Sequence, residues 1–289
     1  MDLDWTYLAA AFGGGIFAAA IGTLPSFVFT GLLVLVGCAA AAAGGGSGML
    51  ADVAFGPVFG PHIAFAGAAA ATAYAYRRGF VPDGRDITVP LMGLGRPDVL
   101  LVGGAFGALG YALEALWRFG GLGPRTDTIA LTVVISAMVA RLAFGRTGLA
   151  SARFRPSPEA CWVRHQERPG QFVTIGLGVG VLAGFAALTF GPSHGGTVLG
   201  FGIAASSLGF AQFGLKVPVT HHMALPAAAA AVASGDLLVG TAFGVVGAAA
   251  GEGFSRVFHQ HGDTHVDPPA AGIAIAVAIV RVLWPTSGM

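Results

Sequence analysis

Ten apolar stretches rich in glycine and alanine, separated by short polar joints, leave this chain few ways to fold. They cover residues 7–22, 26–44, 51–76, 98–117, 128–144, 172–190, 196–213, 217–234, 237–254 and 269–284. A helix crossing the hydrocarbon core needs about 20 mainly apolar residues, and fewer where it is broken and sheltered by neighbours. Only 10% of the 289 residues are charged, against roughly 25% in a soluble domain. With a mean hydropathy of +0.75, too few solvating groups remain to cover a water-facing surface. The expected class is therefore an all-α polytopic membrane protein whose main partner is the lipid bilayer. Small residues let such helices pack backbone to backbone.

Charge excludes other classes. A net charge of +1 with Lys216 as the single lysine supplies no basic stripe for nucleic acid. Cys38 and Cys161 stand in unlike surroundings, so no disulfide is expected. The glycine clusters follow no strand and do not read as a dinucleotide or phosphate cradle. The first span ends in small residues like a signal peptide, yet its leading segment is acidic, and it reads as a retained helix.

Arginine placement gives an orientation, because positive loops stay inside. Arg77, Arg78, Arg85 and Arg96 follow the third span; Arg146, Arg153, Arg155, Arg164 and Arg168 follow the fifth. Both loops are expected in the cytoplasm, with the N- and C-termini outside a cell (inner) membrane.

The chain also resembles itself. Pro25-Ser26-x3-Thr30-x-Leu32 returns as Pro192-Ser193-x3-Thr197-x-Leu199, and residues 62–73 align without a gap on 222–233. Each of those histidines follows a Pro-Val pair, Pro57-Val58 or Pro218-Val219. Asp98, Glu114 and Arg118 have the mutual spacing of Asp236, Glu252 and Arg256, and Asp127 with Arg141 returns as Asp267 with Arg281. Charges are rare here, so their repeated spacing carries most weight. Five spans per half make the second half enter the bilayer from the opposite side. The expectation is two inverted five-helix repeats, 7–145 and 172–285, joined by a cytoplasmic linker over 146–171. Breakers around Pro82, Gly84 and Pro90 mark an extra cytoplasmic loop in the first half.

Polar groups inside the spans supply the site candidates. Pro57 and Pro61 beside His62, and Pro218 and Pro226 beside His221 and His222, predict broken third and eighth helices, the pattern that marks a central binding site. Against a structural reading of these histidines stands a pathway role as ligand groups or proton carriers. Glu114–Arg118 and Glu252–Arg256 are i,i+4 pairs, structural ion pairs or gates. Asp127 and Asp267 read as helix caps, and Arg141 and Arg281 as snorkelling cations. Thr30, Thr197 and Gln212 can hydrogen-bond across the bundle. The string His259-Gln-His261-Gly-Asp263-Thr-His265-Val-Asp267 suits a divalent metal chemically but matches no closed zinc spacing, and a polar turn is the simpler reading.

Three functions compete. A permease moving a small solute or ion, with proton or cation coupling, accords best with paired breakers in two inverted halves. A channel is the alternative. A membrane metalloenzyme using the histidine string is the third, and the permease reading requires neither enzyme chemistry nor a cofactor. A homo-oligomer is compatible with all three.

Overall fold

Backbones that touch through glycine organise the bundle. A computed structural model of the chain describes residues 4–150, 166 and 168–285. It is helical throughout, and a bridge between Gly84 and Thr264 is the one extended pairing among the described residues. The ten α-helices fall where the ten apolar stretches predicted them. They are α1 (Trp5–Ile21), α2 (Thr23–Ala42), α3 (Ala64–Arg77), α4 (Pro97–Phe119), α5 (Thr128–Phe144), α6 (Pro169–Phe190), α7 (Gly196–Ser207), α8 (His221–Ser234), α9 (Leu237–Phe254) and α10 (Pro268–Leu283). The linker arginines Arg153, Arg155 and Arg164, and Cys161, lie outside the described residues.

Five segments are long and apolar enough to cross a membrane: α2, α4, α6, α7 with its 3-10 extension to Phe213, and α9 with its extension to His259. Helices α1, α5 and α10 are apolar but shorter, and α3 and α8 have 14 residues each. At 1.5 Å per residue, 14 residues reach about 21 Å, less than the roughly 30 Å of hydrocarbon. Of the ten expected spans, five thus have the length and apolarity to cross by themselves. The physical reason is shelter: α3 and α8 are buried along most of their length, where irregular backbone can find protein partners.

The third span is broken, as its prolines predict. A π-helical turn over Met49–Ala54 gives way to turns through Pro57 and Pro61 before α3 begins. The eighth is not broken at Pro226, which lies inside a continuous α8; the irregular backbone lies before it, at residues 214–220. Proline at 226 has no N–H to give the His222 carbonyl. That carbonyl instead lies against Gly247 of α9, where a Cβ would collide with it. The His62 carbonyl stands in the same relation to Gly110 of α4.

Helix pairing runs in parallel in the two halves. Helix α1 packs on α4 and α3, α3 on α4 and α5; correspondingly α6 packs on α9 and α8, α8 on α9 and α10. Gly15 meets Gly103 and Gly107 at the first crossing, and Gly176 and Gly180 meet Gly244 at the second. Helices α2 and α7, and α5 and α10, join the halves. Between them lies the largest apolar core, which includes Phe27, Phe65, Val133, Phe201 and Ile273. Gly22, with φ +100°, is the single-residue joint between α1 and α2, held against Val89 and Pro90.

The connections after α3, α5 and α9 gather at one end. His265 N–H donates to the Gly84 carbonyl at 3.2 Å, and Arg146 N–H to Asp263 Oδ2 at 2.8 Å. Residues of the 79–96 segment also tie down the α1–α2 joint, with Leu24 N–H on the Ile87 carbonyl at 2.7 Å.

Substitution at these crossings is diagnostic. Gly110→Ala and Gly247→Ala each place a methyl on a backbone carbonyl and are expected to cost about 1–3 kcal/mol. Gly178→Ala, whose Cβ meets nothing within 4 Å, is expected to leave the thermal midpoint of purified protein unchanged. Equal midpoints for all three variants would contradict the packing described.

Candidate functional site

Two helices start inside the bundle, and their exposed N–H groups need acceptors. Asp127 caps α5, accepting from Ala130 N–H at 2.8 Å, and Asp267 caps α10, accepting from Ala270 N–H at 2.8 Å. Capping, expected for both from the sequence, is therefore present. Both carboxylates also line one chamber of about 470 Å³, which capping alone did not foretell.

The chamber wall takes matching positions from the two halves. In the register of the internal alignment, Pro61 pairs with His221, Phe65 with Leu225, Asp127 with Asp267, Ala130 with Ala270 and Val133 with Ile273, and all ten line it. Phe27, Phe55, Ile129 and Phe201 complete it. The rings interlock: Phe27 lies 5.6 Å from Phe65 and 5.7 Å from Phe201 edge-on, and 4.7 Å from His221.

A second, wider cavity of about 1090 Å³ adjoins the first. Phe27, Phe65, His221 and Asp267 line both, so they form the neck between them. The wider cavity is polar on one side, with Asp83, Arg85, Asp86 and Thr88 from the loop after α3 and His259 and His265 from the segment before α10. A dry chamber thus opens into a charged vestibule.

The sequence candidates divide. Pro61 and His221 line the chamber; His62, His222, Pro57 and Pro218 do not. One residue along a helix turns the side chain by about 100°, so the aligned neighbours of the two expected histidines take the wall positions. His62 is buried beside α4, and His222 faces a small pocket with Gln166, Gly251 and Glu252. Asp98 accepts from Tyr74 Oη at 3.1 Å and Arg96 Nε at 3.2 Å, whereas Asp236 caps α9 through Leu238 N–H at 2.6 Å. Their matched spacing thus serves different contacts.

Both i,i+4 pairs form, Arg118 Nε to Glu114 Oε1 and Arg256 Nε to Glu252 Oε1, each at 2.6 Å. Glu114 is buried while Arg118 is largely exposed, and Thr128 Oγ1 adds a donor to Glu114 at 3.0 Å. Thr30 Oγ1 bonds across to the Phe59 carbonyl at 2.6 Å, as expected of a threonine in a bundle.

Arg141 does not snorkel. It is 1% exposed, and its guanidinium donates to Thr264 Oγ1 at 3.0 Å and to the carbonyls of Phe258 and Thr264. Gly262 lies over the guanidinium with no room for a Cβ. The expectation failed because α5 stops against the segment before α10, whose bare carbonyls offer Arg141 partners nearer than water.

The histidine string divides into two groups, with the His259 and His265 rings 5.0 Å apart in the first. His259 Nδ1 pairs with the Val266 carbonyl at 2.9 Å and His265 Nε2 with Asp267 Oδ1 at 3.0 Å, both beside the vestibule. His261 and Asp263 face another surface pocket with Tyr76 and Asp83, and Asp263 accepts from Thr147 Oγ1 at 2.9 Å. Burial first, then the Arg141 charge, lower the pKa of His261. Among the described residues no three His, Cys, Asp or Glu side chains group as metal ligands.

Sequence reasoning missed the four phenylalanines and the vestibule loop. No signal separated Phe27 or Phe201 from other apolar positions, because lipid-facing and cavity-facing phenylalanine look alike in a sequence.

These features define a helical protein with helices suited to a bilayer and a chamber lined from both of its halves. The chain belongs to the family described as Family of unknown function (DUF7973), whose model matches it twice, over residues 1–157 and 146–287. No curated protein and no solved structure matches it.

Removing Arg118 leaves the buried Glu114 charge without its counter-charge; because Arg118 itself is largely exposed, the cost is expected to fall below the about 3–5 kcal/mol of a fully buried pair. Arg118→Met is therefore expected to lower the thermal midpoint more than Arg118→Met with Glu114→Gln; the reverse order would mean that the pair is idle. Arg141→Lys keeps the charge but loses the fork that reaches two carbonyls, so limited proteolysis is expected to cut within residues 255–266 faster than in wild type.

Proposed function

We propose that the chain is a multi-pass permease of the cell (inner) membrane, built of two inverted five-helix repeats, residues 7–145 and 172–285. The cytoplasmic linker is 146–171, and both termini lie outside. The observation that carries this reading is the chamber lined by five aligned pairs of residues, one of each pair from either half. A local pseudo-twofold arrangement about a cavity is what alternating access between inverted repeats requires. The parallel helix pairings and the double family match support the duplication. The gathering of the 79–96, 145–150 and 255–266 segments at one end supports the inverted threading, since the arginine-rich loops are among them.

On this reading a small solute or ion enters from the vestibule, passes the Phe27–Phe65–His221–Asp267 neck and rests in the chamber. Movement of the two halves against each other, along the α2–α7 and α5–α10 contacts, opens the far side. Asp127 and Asp267 are the groups poised for cation or proton coupling, in place of His62 and His222.

Liposomes holding a Cys38→Ala, Cys161→Ala chain with Ala270→Cys in the chamber, or Leu182→Cys on the exposed face of α6, test it. With a panel of labelled small cations, anions and neutral solutes, at least one is expected to enter faster than into protein-free liposomes, at a saturating rate. A thiol reagent is expected to abolish that uptake only in the Ala270→Cys protein. Flux that never saturates favours a channel, and no flux beyond protein-free liposomes overturns both.

A further inference from the structure

The chamber wall is largely apolar, and its formally charged groups are acidic. Its charged lining is two carboxylates, Asp127 and Asp267, with no lysine or arginine among the lining residues, and most of the remaining wall is aliphatic or aromatic. Asp127 gives one oxygen to its helix cap, and Asp267 gives one to its cap and the other to His265 Nε2; a carboxylate has about four acceptor positions, so lone pairs remain on both. Ring faces of Phe27, Phe55, Phe65 and Phe201 attract positive charge by their quadrupoles.

An independent observation points to a hydrogen-bond donor in the guest. His221 is 6% exposed and lines both the chamber and the neck, yet its Nδ1 has no hydrogen-bond partner among the described residues. Its ring is pinned by Phe27 at 4.7 Å and Phe201 at 5.8 Å. A buried polar nitrogen normally finds a partner, and this one belongs to a ring that lines the chamber.

We propose that the chamber binds a small organic ammonium ion, a protonated primary or secondary amine on an apolar body. The carboxylates set the sign of its charge, the rings accept its body, and His221 accepts an N–H. A hard metal ion that takes six or more oxygens finds too few here. As a substrate class this rests on the permease reading; as a binding site it does not.

The test is calorimetric titration of the full chain in nanodiscs with phenethylammonium, 3-phenylpropionate and trimethyl(phenethyl)ammonium. Phenethylammonium is expected to bind saturably and the carboxylate of similar shape not at all. Asp127→Asn and Asp267→Asn are each expected to weaken phenethylammonium at least about tenfold; Asp127→Asn, whose contact is the helix cap that asparagine also makes, is expected to do so with little change in the thermal midpoint. His221→Phe is expected to weaken phenethylammonium more than the trimethylated ion, which has no N–H. Equal binding of the carboxylate, wild-type affinity in both asparagine variants, or no phenethylammonium binding to wild type overturns the proposal. Phenethylammonium binding without flux of any solute would overturn the permease reading alone. Flux blocked at Ala270→Cys without phenethylammonium binding would overturn this proposal alone.

Discussion

A helix that begins inside an apolar bundle must find acceptors for its first N–H groups there, and α5 and α10 meet that constraint with Asp127 and Asp267. Much else depends on it. Capping fixes where both helices start, and the starting points leave space between them instead of closing on each other. The same caps bring carboxylates into a region otherwise built of rings and alkyl groups. Those carboxylates would be costly without the N–H donors of their own helices and, for Asp267, the His265 ring.

Close backbone packing provides the rigid surroundings. Where Gly15 meets Gly103 and Gly107, and Gly244 meets Gly176 and Gly180, helices approach to distances no larger side chain permits. Helices α4 and α9 are thereby locked to α1 and α6, and the His62 and His222 carbonyls lie against them at Gly110 and Gly247. On the permease reading, these locked groups are the bodies that move, and the α2–α7 and α5–α10 contacts are the surfaces between them.

Much of this was legible in the sequence, for identifiable reasons. Helix positions followed from apolar runs, and the caps followed from aspartates placed before them. The repeat was legible because charge is scarce enough for spacing to be informative. The chamber was not, since a one-residue shift decides whether Pro61 or His62, His221 or His222, faces it, and periodicity alone cannot resolve such a rotation across an irregular segment. Arg141 was misread because the carbonyls that hold it belong to residues 258 and 264, more than a hundred positions away. Composition did not show how the histidine string divides: His259, His265 and Asp267 face the vestibule, and His261 and Asp263 face another pocket.

The loop carrying Asp83 to Thr88 belongs to the first half only, and it turns a nearly symmetric object into a polarised one. A duplicated chain, unlike a pair of identical subunits, is free to furnish its two entrances differently. Here one entrance carries fixed charge of both signs, from Asp83, Arg85 and Asp86, over a hydrocarbon-walled interior. On the permease reading, an approaching solute would be sorted first by its hydration and only afterwards by its shape, and the two directions of travel would have inequivalent barriers even though the inner walls are built from corresponding positions.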